Sequence, residues 1–258
     1  MNEINKLTIG IEEEYQIIDP ASRELTSFIS EFLEKGAMLF KDQVKPELLQ
    51  SQIEIGSNVC NNIDQLEDDL KSIRSSLGSF VNENGKKIAA AGTHPFSHWR
   101  DQVVTDKERY HGLFDSMQYV AKRLLIFGMH VHIGIEKRDL QIDVMNQMRY
   151  FMPHILCLST SSPFWLGEKT GFKSYRSIIF EDLPRTGIPE HFDSFKDYDS
   201  YVKTLIASQT ISEPSKIWWD IRPHHTFPTL EFRICDCVTT VEEAISIAAL
   251  IQALVAKM

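Results

Sequence analysis

Apolar positions along the 258-residue chain recur with two spacings, every second residue and every third to fourth, and the switches between them mark its elements. From Leu7 to Ile18, the residues Ile9, Ile11, Tyr15 and Ile17 share one face, which predicts a strand ended by the turn Asp19-Pro20. A second strand is expected over Leu48 to Val59, with Ile53 and Ile55 on its apolar face. Leu66, Leu70, Ile73, Leu77, Phe80 and Val81 then recur at helical spacing, between Asp64 as a candidate N-cap and a stop at Asn84-Gly85. Lys87 to Gly92 reads as a strand, Asp106 to Leu125 as a helix, and Ile126 to Ile135 as a strand with Met129, Val131, Ile133 and Ile135 on one face. Asp139 to Leu158 reads as a helix divided by Pro153, and Ser159 to Ser177 as a loop. A helix over Asp197 to Ser208 precedes two strands, Ile217 to Arg222 and Thr229 to Val238, expected to pair antiparallel. Thr240-Val-Glu-Glu243 is a capping box opening an apolar helix. Strands joined by short turns as well as by helices predict an α+β domain with a largely antiparallel sheet. No repeat or Pro/Gly-rich linker interrupts it, so one continuous domain is expected.

Composition changes this picture little. A 43% apolar, 24% charged chain of this length can bury a large core without disulfides or a structural metal. The formal charge of −9, with no Lys/Arg cluster, argues against nucleic acid as a partner. Cys60, Cys157, Cys235 and Cys237 show neither zinc spacing nor a disulfide framework, so reduced thiols are expected. The N-terminus lacks the pattern of a signal peptide, and the longest apolar stretch, Ala244 to Ala256, is too short to span a bilayer. A cytoplasmic protein without membrane contact is the resulting expectation.

The polar positions inside the strands carry the chemistry. Residues i and i+2 of a strand share a face, so Glu12 and Glu14 stand together, roughly 6.5–7 Å apart along the strand. Two like charges so placed repel, and an intervening cation relieves them; a solvated polar face is an equal alternative. Glu13 points with the apolar residues, explained at this level by no more than an edge position or a salt bridge. The same parity pairs Gln52 with Glu54, His130 with His132, and Glu231 with Arg233. Strands lying side by side would put these groups on one surface, and hard oxygen ligands with a little imidazole favour Mg²⁺ or Mn²⁺ over zinc. Neither a P-loop nor a Rossmann glycine motif is present.

Four segments, LTIGIEEEYQIIDP, GMHVHIGI, SSPFWLGEKTGFKSYRS and RPHHTFPTLEFRICD, occur in the order and spacing of the carboxylate–amine ligases, also called type-2 glutamate–cysteine ligases. The chain resembles that family over essentially its whole length. The resemblance implies a glutamine synthetase-like catalytic domain, a curved, mostly antiparallel sheet with helices on its convex face. It also implies ATP and Mg²⁺ (or Mn²⁺) as cofactors, and a small carboxylate, typically the γ-carboxyl of glutamate, joined to an amine such as that of cysteine. By the same resemblance Glu12, Glu14, Glu47, Glu54, His130 and Glu231 are metal ligands, with His130 an alternative phosphate contact. Arg233 and His132 would be catalytic, Arg233 meeting transferred phosphate and His132 lying nearer the substrate. Arg176 and Arg222 would clamp phosphate or a substrate carboxylate, or be structural. Family members continue for on the order of a hundred further, chiefly helical residues, so residues 1–258 are expected to be one catalytic domain lacking that part. A metal-dependent amide hydrolase on the same face, and a non-catalytic paralogue that binds ATP and metal, remain open, as does self-association.

Overall fold

A computed structural model describes residues 7–28 and 43–258, with Phe32, Gly36 and Phe40 between them and Arg109 by its backbone. The first six residues, read above as part of an N-terminus without a signal peptide, lie outside the described residues. Strand β1 (Ile9–Ile18) is central. It pairs with β3 (Gln52–Gly56) on one side, and with β5 (Gly128–Gly134) and the short β4 (Lys87–Ala89) on the other. Beyond β3 lies β2 (Val44–Pro46); beyond β5 lie β9 (Thr229–Asp236) and then β8 (Ile221–Pro223). Every one of these pairings is antiparallel. The α+β class and largely antiparallel sheet expected from the sequence are what the chain forms.

Helix α1 (Ile63–Glu83) buries the six apolar residues read from its periodicity. Its N-cap is Asn62, whose side chain accepts from the Gln65 amide, two residues before the expected Asp64. Gly85, at φ +73°, takes the left-handed conformation that follows its end. The single helix expected over 106–125 is two, α2 (Glu108–Met117) and α3 (Tyr119–Lys122), broken at Gln118 with φ +49°. Helices α4 (Arg138–Met148) and α5 (Met152–Leu158) meet through a 3₁₀ turn, and Pro153 sits in the first turn of α5, where its missing N–H costs nothing. The expected loop 159–177 holds a small hairpin, β6 (Phe164–Trp165) and β7 (Glu168–Lys169), and the start of α6 (Tyr175–Phe180), capped by Ser174. Helix α7 (Phe195–Ala207) begins at a Ser194 cap, and α8 (Val241–Lys257) at the Thr240/Glu243 capping box. Among the described residues no helix is long and apolar enough to cross a membrane.

One sheet face is apolar. Ile9, Ile11, Tyr15 and Ile17 of β1, Met129, Val131 and Ile133 of β5, and Leu230 and Phe232 of β9 are buried in the core. Helices α1 and α8 pack on β1 and β5, and α4 and α5 on β8 and β9. The strand period therefore sends the alternate side chains to the opposite face, where the candidate chemistry gathers.

Glu13 falls on the apolar face and is fully buried. Arg74 of α1 grips it with Nε and Nη2 at 2.9 and 2.5 Å, and the Tyr15 hydroxyl donates to the same carboxylate. Arg74 also donates to the carbonyls of Thr239 and Val238, so one guanidinium ties β1, α1 and the entry to α8. Removing one partner of such a pair strands the other without solvent. Glu13→Ala is expected to lower stability by about 3–5 kcal/mol, read as a shift in the urea midpoint at unchanged slope.

Candidate active site

Register fixes which polar groups meet. Glu14 lies opposite Glu54, Glu12 opposite His130, and His132 opposite Gly10 on one side and Glu231 on the other. Glu231 in turn faces Arg222 on β8. Between the pairs Met129–Cys235 and Val131–Phe232, a bulge sets two residues of β9, Arg233 and Ile234, against one of β5, His130. It re-aims Arg233, whose amide bonds the Asp220 carbonyl while its side chain stays on the polar face and donates to Glu231.

Two carboxylate clusters result. In the first, single ligand atoms of Glu12, His132 and Glu231 all lie within 4.8 Å of one another. His130 Nδ1 is 3.1 Å from Glu12 and 4.0 Å from Glu231, so it borders this triangle, and His132 completes it. The resemblance had given the ligand role to His130. Burial pushes the Glu12 carboxyl up, but His130 and His132 beside it prevail and hold it well below the usual range. Glu231 is held down likewise, its burial outweighed by Arg233 and Arg222. His130 is pushed down by burial and by Arg233, whereas Glu12 pushes His132 up against its burial.

The second cluster is Glu14, Glu47 and Glu54. Burial pushes the Glu54 carboxyl well above its ordinary value, and the charges of Glu47, Glu12 and Glu14 push it further; Lys45, across the ladder, opposes them. Glu14 accepts the Gly128 amide at 2.6 Å, and Glu47 lies 3.3 Å from the Tyr110 hydroxyl.

The residues fit hard divalent cations. His132 Nε2 is buried without a hydrogen-bond partner while facing Glu12 at 3.5 Å, and the charges of Glu47, Glu12 and Glu14 crowd the buried Glu54 carboxyl. The donor set of carboxylate oxygens and one imidazole is that of Mg²⁺ or Mn²⁺.

A cavity of about 140 Å³ opens beside the second cluster. Glu14, His130, Arg176 and Arg233 line its polar end, and Leu113, Phe180 and Trp218 belong to its apolar wall. Arg176 and Arg233 each keep a buried Nε without a partner, so two guanidiniums have donors left for an anion. Arg176 otherwise donates to the carbonyls of Arg233 and Ile234, and it fits because Gly128 has no side chain: a Cβ there would lie 2.4 Å from Nη2. Arg222 is differently engaged. Its donors go to Glu231 and to the carbonyls of Ser215 and Ile217, the arrangement of a strut.

Sequence reasoning passed over Asp236, which is fully buried at the end of β9. Its carboxylate accepts from the Ser161 amide and from the Ser162 and Ser174 hydroxyls at 2.9, 2.6 and 2.7 Å. Ser162 Oγ accepts the Arg176 amide, so Asp236 anchors the segment that delivers Arg176. A carboxylate closing an apolar strand was the available signal.

Cation binding favours deprotonated Glu54 and His132, both pushed up in the free protein, so it must release protons. Mg²⁺ affinity is therefore expected to rise with pH through the neutral range. Calorimetry in two buffers of different ionisation enthalpy should report net proton release; equal heats in both would contradict the assignment.

The profile of glutamate–cysteine ligase family 2 matches residues 8–258. A protein of Herpetosiphon aurantiacus named "Putative glutamate–cysteine ligase 2" is 52% identical over 251 residues, which cover 97% of this chain and 65% of that protein. One of the same name from Roseiflexus castenholzii is 51% identical, with 97% and 66% covered. The chain thus spans just under two thirds of the length of these relatives. Among solved structures, a bifunctional glutathione synthetase from Pasteurella multocida superimposes with a TM-score of 0.75 at 14% identity, over 98% of this chain and 39% of that one. A glutamate–cysteine ligase from Francisella tularensis, in complex with AMP, superimposes with 0.66 at 15% identity, over 90% and 61%. At such identities the likeness is one of fold.

Proposed function

The chain belongs to glutamate–cysteine ligase family 2, and from that premise we propose that the protein joins a carboxylate, the γ-carboxyl of glutamate, to an amine in a reaction driven by ATP. The observation that carries this reading is the polar sheet face, where Glu12, His132 and Glu231 converge beside Arg233 and the Glu14/Glu47/Glu54 group. Residues 1–258 act in this proposal as one catalytic domain of a longer family architecture.

An ionised carboxylate is a poor electrophile. Its oxygen attacks the γ-phosphorus of ATP and ADP leaves, giving an acyl phosphate. The amine nitrogen then attacks the acyl carbon, the C–O bond to phosphate breaks, and the amine proton is lost as the amide forms. Divalent cations held by Glu12, His132 and Glu231, and by Glu14, Glu47 and Glu54, would supply charge neutralisation at the phosphate oxygens. Arg233 and Arg176 line the cavity and would meet anionic oxygens there. Arg222 fixes the Glu231 carboxylate through two nitrogens. Burial, and Arg233 beside it, push His130 down towards its neutral form. No protein nucleophile is required, which agrees with Cys235, whose thiol burial pushes up to about 12.

ADP release should require an acid, an amine and Mg²⁺ together, in a screen of glutamate against many amines. Glu231→Gln keeps shape and removes charge, and Arg233→Gln removes the anion donor; each should lower turnover by about 10²–10³-fold with the fold intact. Amide cleavage without ATP would point to the hydrolase alternative instead. Binding of Mg²⁺–ATP with no turnover on any amine would point to a non-catalytic paralogue.

A further inference from the structure

Arg222 is buried between two parts of the molecule with different tasks. On one side Nε donates to Glu231 Oε2 at 2.8 Å and Nη2 to Oε1 at 3.4 Å. On the other, Nη1 donates to the Ser215 carbonyl at 3.0 Å and to the Ile217 carbonyl. Ser215, Lys216 and Trp218 line the cavity that Arg233 and His130 also line. A second arginine steadies the same segment: Arg185 Nε donates to the Lys216 carbonyl at 3.0 Å, its guanidinium lies 5.3 Å from the Trp218 ring, and its carbonyl accepts the Trp218 amide. One planar guanidinium therefore joins a candidate cation ligand to the wall of the substrate cavity.

We propose that Arg222 is a positioning residue that couples cation binding at Glu231 to the cavity wall formed by Ser215 to Trp218. The inference rests on the cation site proposed above. Glu231 already holds Arg222 and Arg233. A divalent cation taking the same carboxylate carries charge of the same sign, so it repels Arg222 and competes for the oxygens it holds. The guanidinium is a rigid fork and yields as a unit, so a shift at Nε is transmitted to the carbonyls bound by Nη1. The wall moves with it, and Trp218 is the next residue along. The coupling is reciprocal: a ligand that fixes the wall changes cation affinity by the factor with which the cation changes its own.

The test needs no substrate. Mg²⁺ binding is measured by calorimetry while tryptophan emission is followed in parallel, with Trp218→Phe isolating one of the four tryptophans. The intact protein should show an emission change that saturates with Mg²⁺ binding and disappears in Trp218→Phe. Arg222→Gln removes a like charge and the strut together. It should bind Mg²⁺ severalfold more tightly and show no Trp218 response, whereas a merely structural loss would weaken binding. Arg222→Lys keeps the charge without the fork, should bind Mg²⁺ near normally with a blunted response, and decides the matter if Arg222→Gln does not fold. An equal Trp218 response in the variants, or Mg²⁺ binding to the intact protein with Trp218 silent, overturns the coupling and leaves the cation site standing. Failure of the intact protein to bind Mg²⁺ removes both.

Discussion

Mutual repulsion of carboxylates on one sheet face is the constraint to which much of the surrounding structure answers. Glu12 and Glu14 share a face of β1 by strand parity, and pairing with β3 sets Glu54 directly opposite Glu14. Burial strengthens the repulsion, as the raised Glu54 carboxyl records. The fold holds this crowd in place because the other face of the same strand is locked into the core by Ile11, Glu13 and Tyr15, with Arg74 closing the one charge that points inward. The destabilised face is a consequence of the stable one.

Compensating charge is distributed unevenly, and the two ends of the face differ accordingly. At the Glu231 end two arginines and two histidines surround the carboxylates, which stay ionised. At the Glu54 end the charges of Glu47, Glu12 and Glu14 add to burial in pushing the Glu54 carboxyl up, and Lys45 opposes them. Between the ends lie His130 and the free Nε donors of Arg176 and Arg233. Such a gradient suits a reaction in which a polyanion and a carboxylate must approach each other, since each region neutralises a different charge.

Much of this was legible in the sequence, because strand parity is local. The alternation in Gly10-Ile-Glu-Glu-Glu-Tyr15 and in Gly128-Met-His-Val-His-Ile-Gly134 assigned Glu12, Glu14, His130 and His132 to one face, and the register sets Glu12 opposite His130, with His132 Nε2 3.5 Å from Glu12. What could not be read depends on contacts distant in sequence. Glu13 was open between an edge position and a salt bridge, and its partner Arg74 lies 61 residues away. The bulge opposite Met129–Val131 leaves no mark in the periodicity of β9, yet it determines where Arg233 points. Asp236 reads as a strand end until the serines of a distant loop close on it. The motif leaves Arg222 open between a clamp and a structural residue, and contacts with Glu231 and two carbonyls take up its donors. The break at Gln118 likewise rests on a backbone conformation that helical spacing does not encode.

The central claim is that this face activates a carboxylate as an acyl phosphate. The most direct measurement follows oxygen from glutamate labelled with ¹⁸O in its γ-carboxyl, with ATP, Mg²⁺ and an accepted amine. The account predicts one labelled oxygen in the phosphate released for each amide formed. Unlabelled phosphate accompanying amide formation would contradict it.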